Sequence, residues 1–189
     1  LDNLGSSLCA LDALIKHSKK DVKTHRQHAE IDMIMLFDHE EVGSQSSTGA
    51  GGPMLEHVLE RLASASGSTR PEFLAALQKS HCVSADNAHA VHPNYTDRHE
   101  LNNAPYVNEG VVVKNNVSQR YATSPNSVVP IVHAAVTAGV NLQTFSSRNN
   151  IACGSTIGPI TASRLGIETV DIGVPQLSMH SIREMCGTK

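Results

Sequence analysis

The sequence lacks both a long hydrophobic run and an excess of charge of one sign. Hydrophobic residues make up 40% of the 189 residues, yet no apolar run approaches the ~18 residues of a membrane span. The net charge is -3 and the charges are scattered, so nothing favours nucleic acid or an anionic membrane surface. No RNP-like, Walker or GxGxxG motif is present either. We therefore expect neither a nucleic-acid partner nor a membrane partner.

Cysteine is also sparse, and its spacing excludes two classes of small fold. The four cysteines have no CxxC pairing, which argues against a zinc ribbon and against a disulfide scaffold and favours a reducing compartment. The first residues, LDNLGSS, lack the basic and apolar regions of a signal peptide. We therefore expect a cytoplasmic protein.

Apolar runs of strand length alternate with stretches of helical spacing, which predicts an α/β layered sandwich. No internal repeat or linker is visible, so residues 1–189 are interpreted as a single domain. The pattern predicts helices over 3–19, 54–65, 71–80, 128–138 and the later part of 154–165, with a last helix opening over 179–185. It predicts strands over 31–37, 82–85, 110–114, 142–146 and 168–172, a short pairing segment at 119–122, and a polar surface loop over 16–30.

The most informative stretch is residues 31–43, IDMIMLFDHEEVG. Its apolar run is short and almost continuous, as in a strand buried on both faces of a sheet. Ionisable side chains follow at once, and in a core they are costly unless they are paired or bind a metal. Because ligands bind at the carboxyl ends of strands in open α/β sheets, the DHEE segment is a candidate reaction centre.

Other acids and one histidine share this placement near an element end. Asp86 follows the strand over 82–85, His180 comes shortly after the strand over 168–172, and Asp2 precedes the first helix. Carboxylate and imidazole groups suit zinc, and one carboxylate can bridge two metal ions. Taken singly, Asp86 also fits a turn or a helix N-cap, Asp2 a helix cap and His180 a structural histidine.

Adjacent Glu40 and Glu41 cannot point the same way in an extended strand, but in a turn they can take different roles. One would ligate metal while the other accepts a proton from water, as metal-assisted hydrolysis requires.

Taken together, several motifs resemble the aspartyl aminopeptidase family of cocatalytic zinc metallopeptidases. The motifs are LDNLGSS, DHEEVGSQSSTGA, SADNAHAVHPNY, VVVKNNVSQRYA, CGSTIGPITASRLGI and QLSMHSIRE, in the family's order along the chain. The resemblance implies a three-layer α/β/α sandwich with a mixed, mostly parallel sheet. It also implies two zinc ions per site, with manganese or cobalt as alternatives.

The resemblance also implies a role for each matching residue. Asp2 would bridge both zinc ions, Glu40 would be the general base, and Glu41, Asp86 and His180 would be further zinc ligands. His89, Lys114 and Tyr121 would contact the substrate. From the residues alone, Lys114 equally fits an edge-strand lysine, and His89 and Tyr121 are interpreted as structural.

The implied function is removal of N-terminal Asp or Glu from peptides with a free N-terminus, within a homo-oligomer. Another two-metal amidohydrolase, such as a carboxypeptidase or deacylase, is an alternative, and a non-catalytic fragment or assembly subunit is a second. The family's catalytic domain begins with a further zinc-ligand histidine upstream of this sequence, and an inserted dimerisation domain precedes LDNL. We therefore expect residues 1–189 to be one catalytic domain that is truncated at both ends.

Overall fold

The computed structural model describes residues 1–20 and 30–188 as helices packed around a mixed sheet. The helices are α1 (Leu4–Lys20), α2 (Met54–Ala65), α3 (Arg70–Lys79), α4 (Pro125–Ala138) and α5 (Gly158–Leu165). The strands are β1 (His81–Ala85), β2 (Ala88–His89), β3 (Val111–Asn115), β4 (Leu142–Ser146), β5 (Glu168–Gly173), β6 (Pro175–Leu177) and β7 (Met185–Cys186). Short 3-10 turns cover Glu40–Val42, Thr96–Arg98 and Leu101–Asn103.

The main sheet has the strand order β1-β5-β3-β4. The β1–β5 and β3–β4 pairs are parallel and the β3–β5 pair is antiparallel, so the predicted mixed, mostly parallel sheet is confirmed. A second sheet has the order β2-β6-β7, with β6 and β7 antiparallel. In the described part of the chain, no helix is both long enough and apolar enough to span a membrane.

Two apolar clusters hold the layers together. One joins α3 to the end of α5 through Phe73, Leu77, Leu165 and Ile167, and α2 packs against it. The other surrounds Val112, which is fully buried in β3, and includes Tyr121. Burial of such side chains is the main favourable contribution to folding.

Local sequence signals explain the helix ends. α4 begins at Pro125, three residues earlier than predicted, because the Ser124 hydroxyl accepts a hydrogen bond from the Ser127 N–H at 3.0 Å. It ends at Gly139, whose positive φ of 67° suits a helix C-terminus, as predicted.

The strand predicted over 31–37 is wrong. Among residues 1–20 and 30–188, this segment joins neither sheet, and two of its apolar side chains are exposed, Ile31 at 62% and Leu36 at 64%. An apolar run becomes a strand only when a neighbouring strand supplies hydrogen bonds, and the described strands do not pair with it.

Three other predictions differ from the structure. Residues 179–185 form a turn leading into β7 instead of a helix, because Ser178 and His180 adopt left-handed φ values of 58° and 65°. Residues 119–122 form no strand, since the chain turns where Asn116 Oδ1 accepts the Ser118 N–H at 2.9 Å. Of the predicted loop over 16–30, residues 16–20 belong to α1 and residues 21–29 lie outside the described residues.

Candidate metal centre

Asp2, Glu41 and His180 converge from three distant parts of the chain. The His180 Nε2 atom lies 3.3 Å from Asp2 Oδ2 and 3.0 Å from Glu41 Oε1. One ligand atom from each residue lies within 4.8 Å of the others. The structure thus brings together three of the residues predicted to ligate metal, in a group whose oxygen and nitrogen donors suit zinc.

A tight turn separates the directions of the two adjacent glutamates. His39 has a φ of 64°, Glu40–Val42 form a 3-10 turn, and Gly43 closes it with a φ of 98° that a side chain would disfavour. The Ser44 N–H donates to the His39 carbonyl at 2.8 Å and fixes the turn. With about three residues per turn, Glu40 and Glu41 point in different directions.

The carboxylate of Asp2 is buried and lacks a hydrogen bond to one of its oxygens among the described residues. Its side chain is only 5% exposed, and its Oδ1 atom has no hydrogen-bond partner among the described residues. Burial, followed by the neighbouring Asp86 carboxylate, raises the pKa of Asp2 to about 6. A buried acceptor atom beside a second carboxylate fits a cation placed between them.

The helix-cap interpretation of Asp2 is wrong. In the described residues, Oδ1 has no hydrogen-bond partner and Oδ2 lies next to His180, so the carboxylate makes no capping hydrogen bond to the start of α1.

Asp86 follows β1 and connects the group to a buried lysine. The Lys114 Nζ atom donates to Asp86 Oδ2 at 3.3 Å and to the Asn87 carbonyl at 3.1 Å. Lys114 is 2% exposed, and its ammonium lies 5.2 Å from the centre of the Tyr121 ring, within the range of a cation–π contact. Lys114 is therefore a buried side chain next to the candidate ligands, not an exposed edge-strand lysine.

Glu40 lies among these groups. Its pKa is raised by partial burial and by the Asp86, Glu41 and Asp2 carboxylates, while Lys114 acts in the opposite direction. The carboxylates of Asp2, Glu40, Glu41 and Asp86 are thus close enough to interact electrostatically, and the Lys114 ammonium is a cationic neighbour. A bound divalent cation would neutralise this excess of negative charge.

His89 and Tyr121 lie beside the same volume. Desolvation, followed by His99, His180 and Lys114, lowers the pKa of His89. Burial and the Cys153 thiol raise the pKa of Tyr121, which keeps its hydroxyl protonated at neutral pH. Both side chains can therefore act as uncharged hydrogen-bond partners at the site.

Sequence reasoning missed Asp171, which is fully buried in β5. Its Oδ2 atom accepts the Ala122 N–H at 2.6 Å, and its Oδ1 atom accepts the Thr156 hydroxyl at 2.6 Å. It therefore fixes the segment next to Tyr121. The available signal was an acid inside the apolar strand TVDI, since such an acid requires internal partners.

The fold and this group of side chains define a class: an α/β protein with carboxylate and imidazole groups gathered around a candidate metal centre. The comparisons then place the chain more closely. The model of the aminopeptidase I zinc metalloprotease (M18) family matches residues 1–189, and the chain belongs to this family.

Individual relatives agree with this assignment. A probable aspartyl aminopeptidase of Ricinus communis is 51% identical over 188 residues, which cover 98% of this chain and 38% of the relative. A cryo-EM structure of the Ape4 and Nbr1 complex contains a chain with a TM-score of 0.90 and 43% identity, covering 99% of this chain and 35% of that one. The S. cerevisiae mApe1 dodecamer gives a TM-score of 0.80 and 34% identity, covering 97% and 40%. The chain thus spans about two fifths of the length of such relatives.

Proposed function

We propose that this chain is part of the catalytic domain of a metallo-aminopeptidase that removes N-terminal Asp or Glu from peptides. The observation that carries the proposal is the convergence of Glu41 and His180 on the buried carboxylate of Asp2. The Oδ1 atom of Asp2 has no hydrogen-bond partner among the described residues. Family membership supports both the peptidase class and zinc.

Two zinc ions fit the donor set, with Asp2 shared between them. Asp2, Glu41 and His180 form a single group that would hold one ion, and Asp86, a neighbour of Asp2 outside that group, would be a ligand of the other. Oxygen and nitrogen donors also accept manganese or cobalt. The bound metal would polarise the scissile carbonyl and lower the pKa of the attacking water.

The remaining side chains supply proton transfer and hydrogen bonds. Glu40 takes a proton from the attacking water and passes it to the leaving amine, a role that its raised pKa favours. The Tyr121 hydroxyl and the His89 imidazole donate hydrogen bonds to the oxyanion that develops on the carbonyl oxygen.

Lys114 would explain a preference for substrates with an acidic N-terminal residue. Asp86 and Asn87 take two of the donors of its ammonium, and an ammonium has three. The third donor would then bind the substrate's side-chain carboxylate. The name of the Ricinus communis relative, a probable aspartyl aminopeptidase, supports this specificity.

The proposal also covers the oligomeric state of the complete protein and its cellular compartment. A solved neighbour is described as a dodecamer, which supports a homo-oligomer for the complete protein. Cysteine spacing supports a reducing, cytoplasmic setting.

The test compares the complete protein that contains this chain, purified and dialysed, with its variant Glu40→Gln. We expect about two bound zinc ions in both proteins, hydrolysis of an N-terminal Asp amide by the first, and a loss of about 100-fold or more in turnover in the second. Zinc is measured by elemental analysis. Absence of bound zinc from the unsubstituted protein would overturn the proposal, and unchanged turnover of Glu40→Gln would remove Glu40 from its role.

Substrate choice separates the alternatives. An aminopeptidase cleaves the peptide with a free α-amino group, whereas a deacylase prefers its N-acylated form and a carboxypeptidase removes the C-terminal residue. A chain that binds zinc and cleaves none of these peptides would be the non-catalytic subunit.

A further inference from the structure

The carboxylate of Glu184 binds backbone N–H groups from both ends of the described chain. Its Oε2 atom accepts the Asp2 N–H at 2.9 Å and a bond from the Leu1 nitrogen at 2.6 Å. Its Oε1 atom accepts the His180 N–H at 2.7 Å. Because the acceptor is an ionised carboxylate, these hydrogen bonds are charge-assisted and short.

The two residues that Glu184 joins are proposed metal ligands on irregular backbone. Asp2 precedes α1 and lies 182 positions from Glu184 along the chain. His180 lies in the turn between β6 and β7 with a left-handed φ of 65°. Since neither residue belongs to a helix or strand, their relative positions depend on bonds such as those to Glu184.

We propose that Glu184 is a positioning residue that holds Asp2 and His180 at the separation a shared metal ion requires. This inference rests on the metal centre of the proposed function. One oxygen holds the Asp2 backbone and the other holds the His180 backbone, so a single carboxylate sets the 3.3 Å separation between the two side chains.

The chemistry of the carboxylate predicts which substitutions matter. An ionised glutamate has two acceptor oxygens, whereas a glutamine has one acceptor and one donor. In Glu184→Gln, the amide NH₂ group must face one of the two backbone N–H groups. Glu184→Asp keeps both acceptors on a side chain that is shorter by one methylene.

The experiment measures zinc affinity by chelator competition for the unsubstituted chain, Glu184→Gln and Glu184→Asp. Glu72→Gln is the matched control, because Glu72 is an exposed carboxylate that accepts the Thr69 N–H at 2.8 Å at the start of α3. We expect Glu184→Gln to weaken zinc binding by about 10–100-fold. Glu184→Asp should fall between it and the unsubstituted chain, and Glu72→Gln should bind as the unsubstituted chain does.

A second readout separates positioning from general stability. The visible spectrum of the cobalt-loaded protein depends on ligand geometry, so it should change in Glu184→Gln and stay unchanged in Glu72→Gln. Zinc affinity and a cobalt spectrum equal to those of the unsubstituted chain would overturn the inference. If Glu184→Gln does not fold, as judged by circular dichroism, Glu184→Asp decides, and unweakened zinc binding in it overturns the inference. Failure of the unsubstituted chain to bind zinc would instead overturn the proposed function.

Discussion

We propose that Lys114 is the residue that links the candidate metal centre to substrate choice. Its ammonium is buried, and it contacts the carboxylate of Asp86, the carbonyl of Asn87 and the ring of Tyr121. These partners hold the ammonium in place before a substrate arrives, so little ordering is required on binding.

We expect Lys114→Met, which preserves the length of the side chain, to reduce kcat/KM for an N-terminal Asp amide more than for the Ala amide. A lost hydrogen bond to a charged group amounts to about 1.5–3 kcal/mol, so the ratio of the two values should fall by about 10-fold or more. The measurement is steady-state hydrolysis of both amides. Lys79→Met, at an exposed position in α3, serves as the control, and an equal loss on both substrates would exclude Lys114 from specificity.

Single residues with unusual chemistry were the easiest to predict from the sequence. The placement of acids and a histidine near predicted strand ends indicates the DHEE segment and His180, and the family resemblance singles out Glu41 as a ligand. In the structure, Glu41 and His180 lie 3.0 Å apart. Glu184 and Asp171 were missed, because their importance comes from backbone partners up to 183 and 49 positions away. No local pattern reports such partners.

At the scale of elements, Asp171 connects β5 to the segments that precede α4 and α5. Its carboxylate accepts bonds from Ala122 and Thr156, and Gly158 at the start of α5 lies directly against it. A Cβ atom at residue 158 would overlap both carboxylate oxygens. The glycine is therefore required by close packing.

We expect Gly158→Ala to lower the free energy of unfolding by about 1–3 kcal/mol, because the added methyl group pushes Asp171 from its partners. Gly154→Ala is the matched control, since a Cβ there meets no atom within 4 Å. Urea unfolding followed by circular dichroism measures both variants. Equal stabilities of the two variants would contradict this account of the contact.

Elements were predicted well where the signal is local. The helix predicted over 128–138 from helical spacing and a closing glycine corresponds to most of α4, and the strands predicted at 82–85 and 168–172 form one parallel pair. The strand at 31–37 and the helix at 179–185 were wrong, because the first depends on a partner strand and the second on left-handed residues. The spacing of apolar residues shows neither whether a partner strand is available nor which residues adopt a left-handed conformation.

At the scale of the whole molecule, the proposed ligands cross-link segments that are far apart in sequence. Asp2 precedes α1, Glu41 lies in a 3-10 turn, Asp86 follows β1, and His180 lies between β6 and β7. A metal ion bound by these side chains stabilises the folded state alone, because an unfolded chain does not bring them together.

We expect a chelator to lower the melting temperature of the zinc-loaded chain. Free zinc at about 100 times its dissociation constant contributes about 2.7 kcal/mol to stability, and the chelator removes this contribution. Differential scanning calorimetry with and without chelator measures the change. Glu41→Gln, which removes one proposed ligand, should show a smaller difference. Identical melting curves for the unsubstituted chain in both conditions would contradict the prediction.

The bond between Asp2 and Glu184 also has a consequence for rates. It closes a loop of almost the whole chain. During folding, the chain loses the entropy of closing such a loop before the contacts across it form and lower the free energy. The helices and the β3–β4 pair join much nearer segments, so we expect the metal centre to be completed after the main barrier to folding. Interactions that form so late slow unfolding instead of speeding folding. The metal would then act mainly on the lifetime of the folded protein.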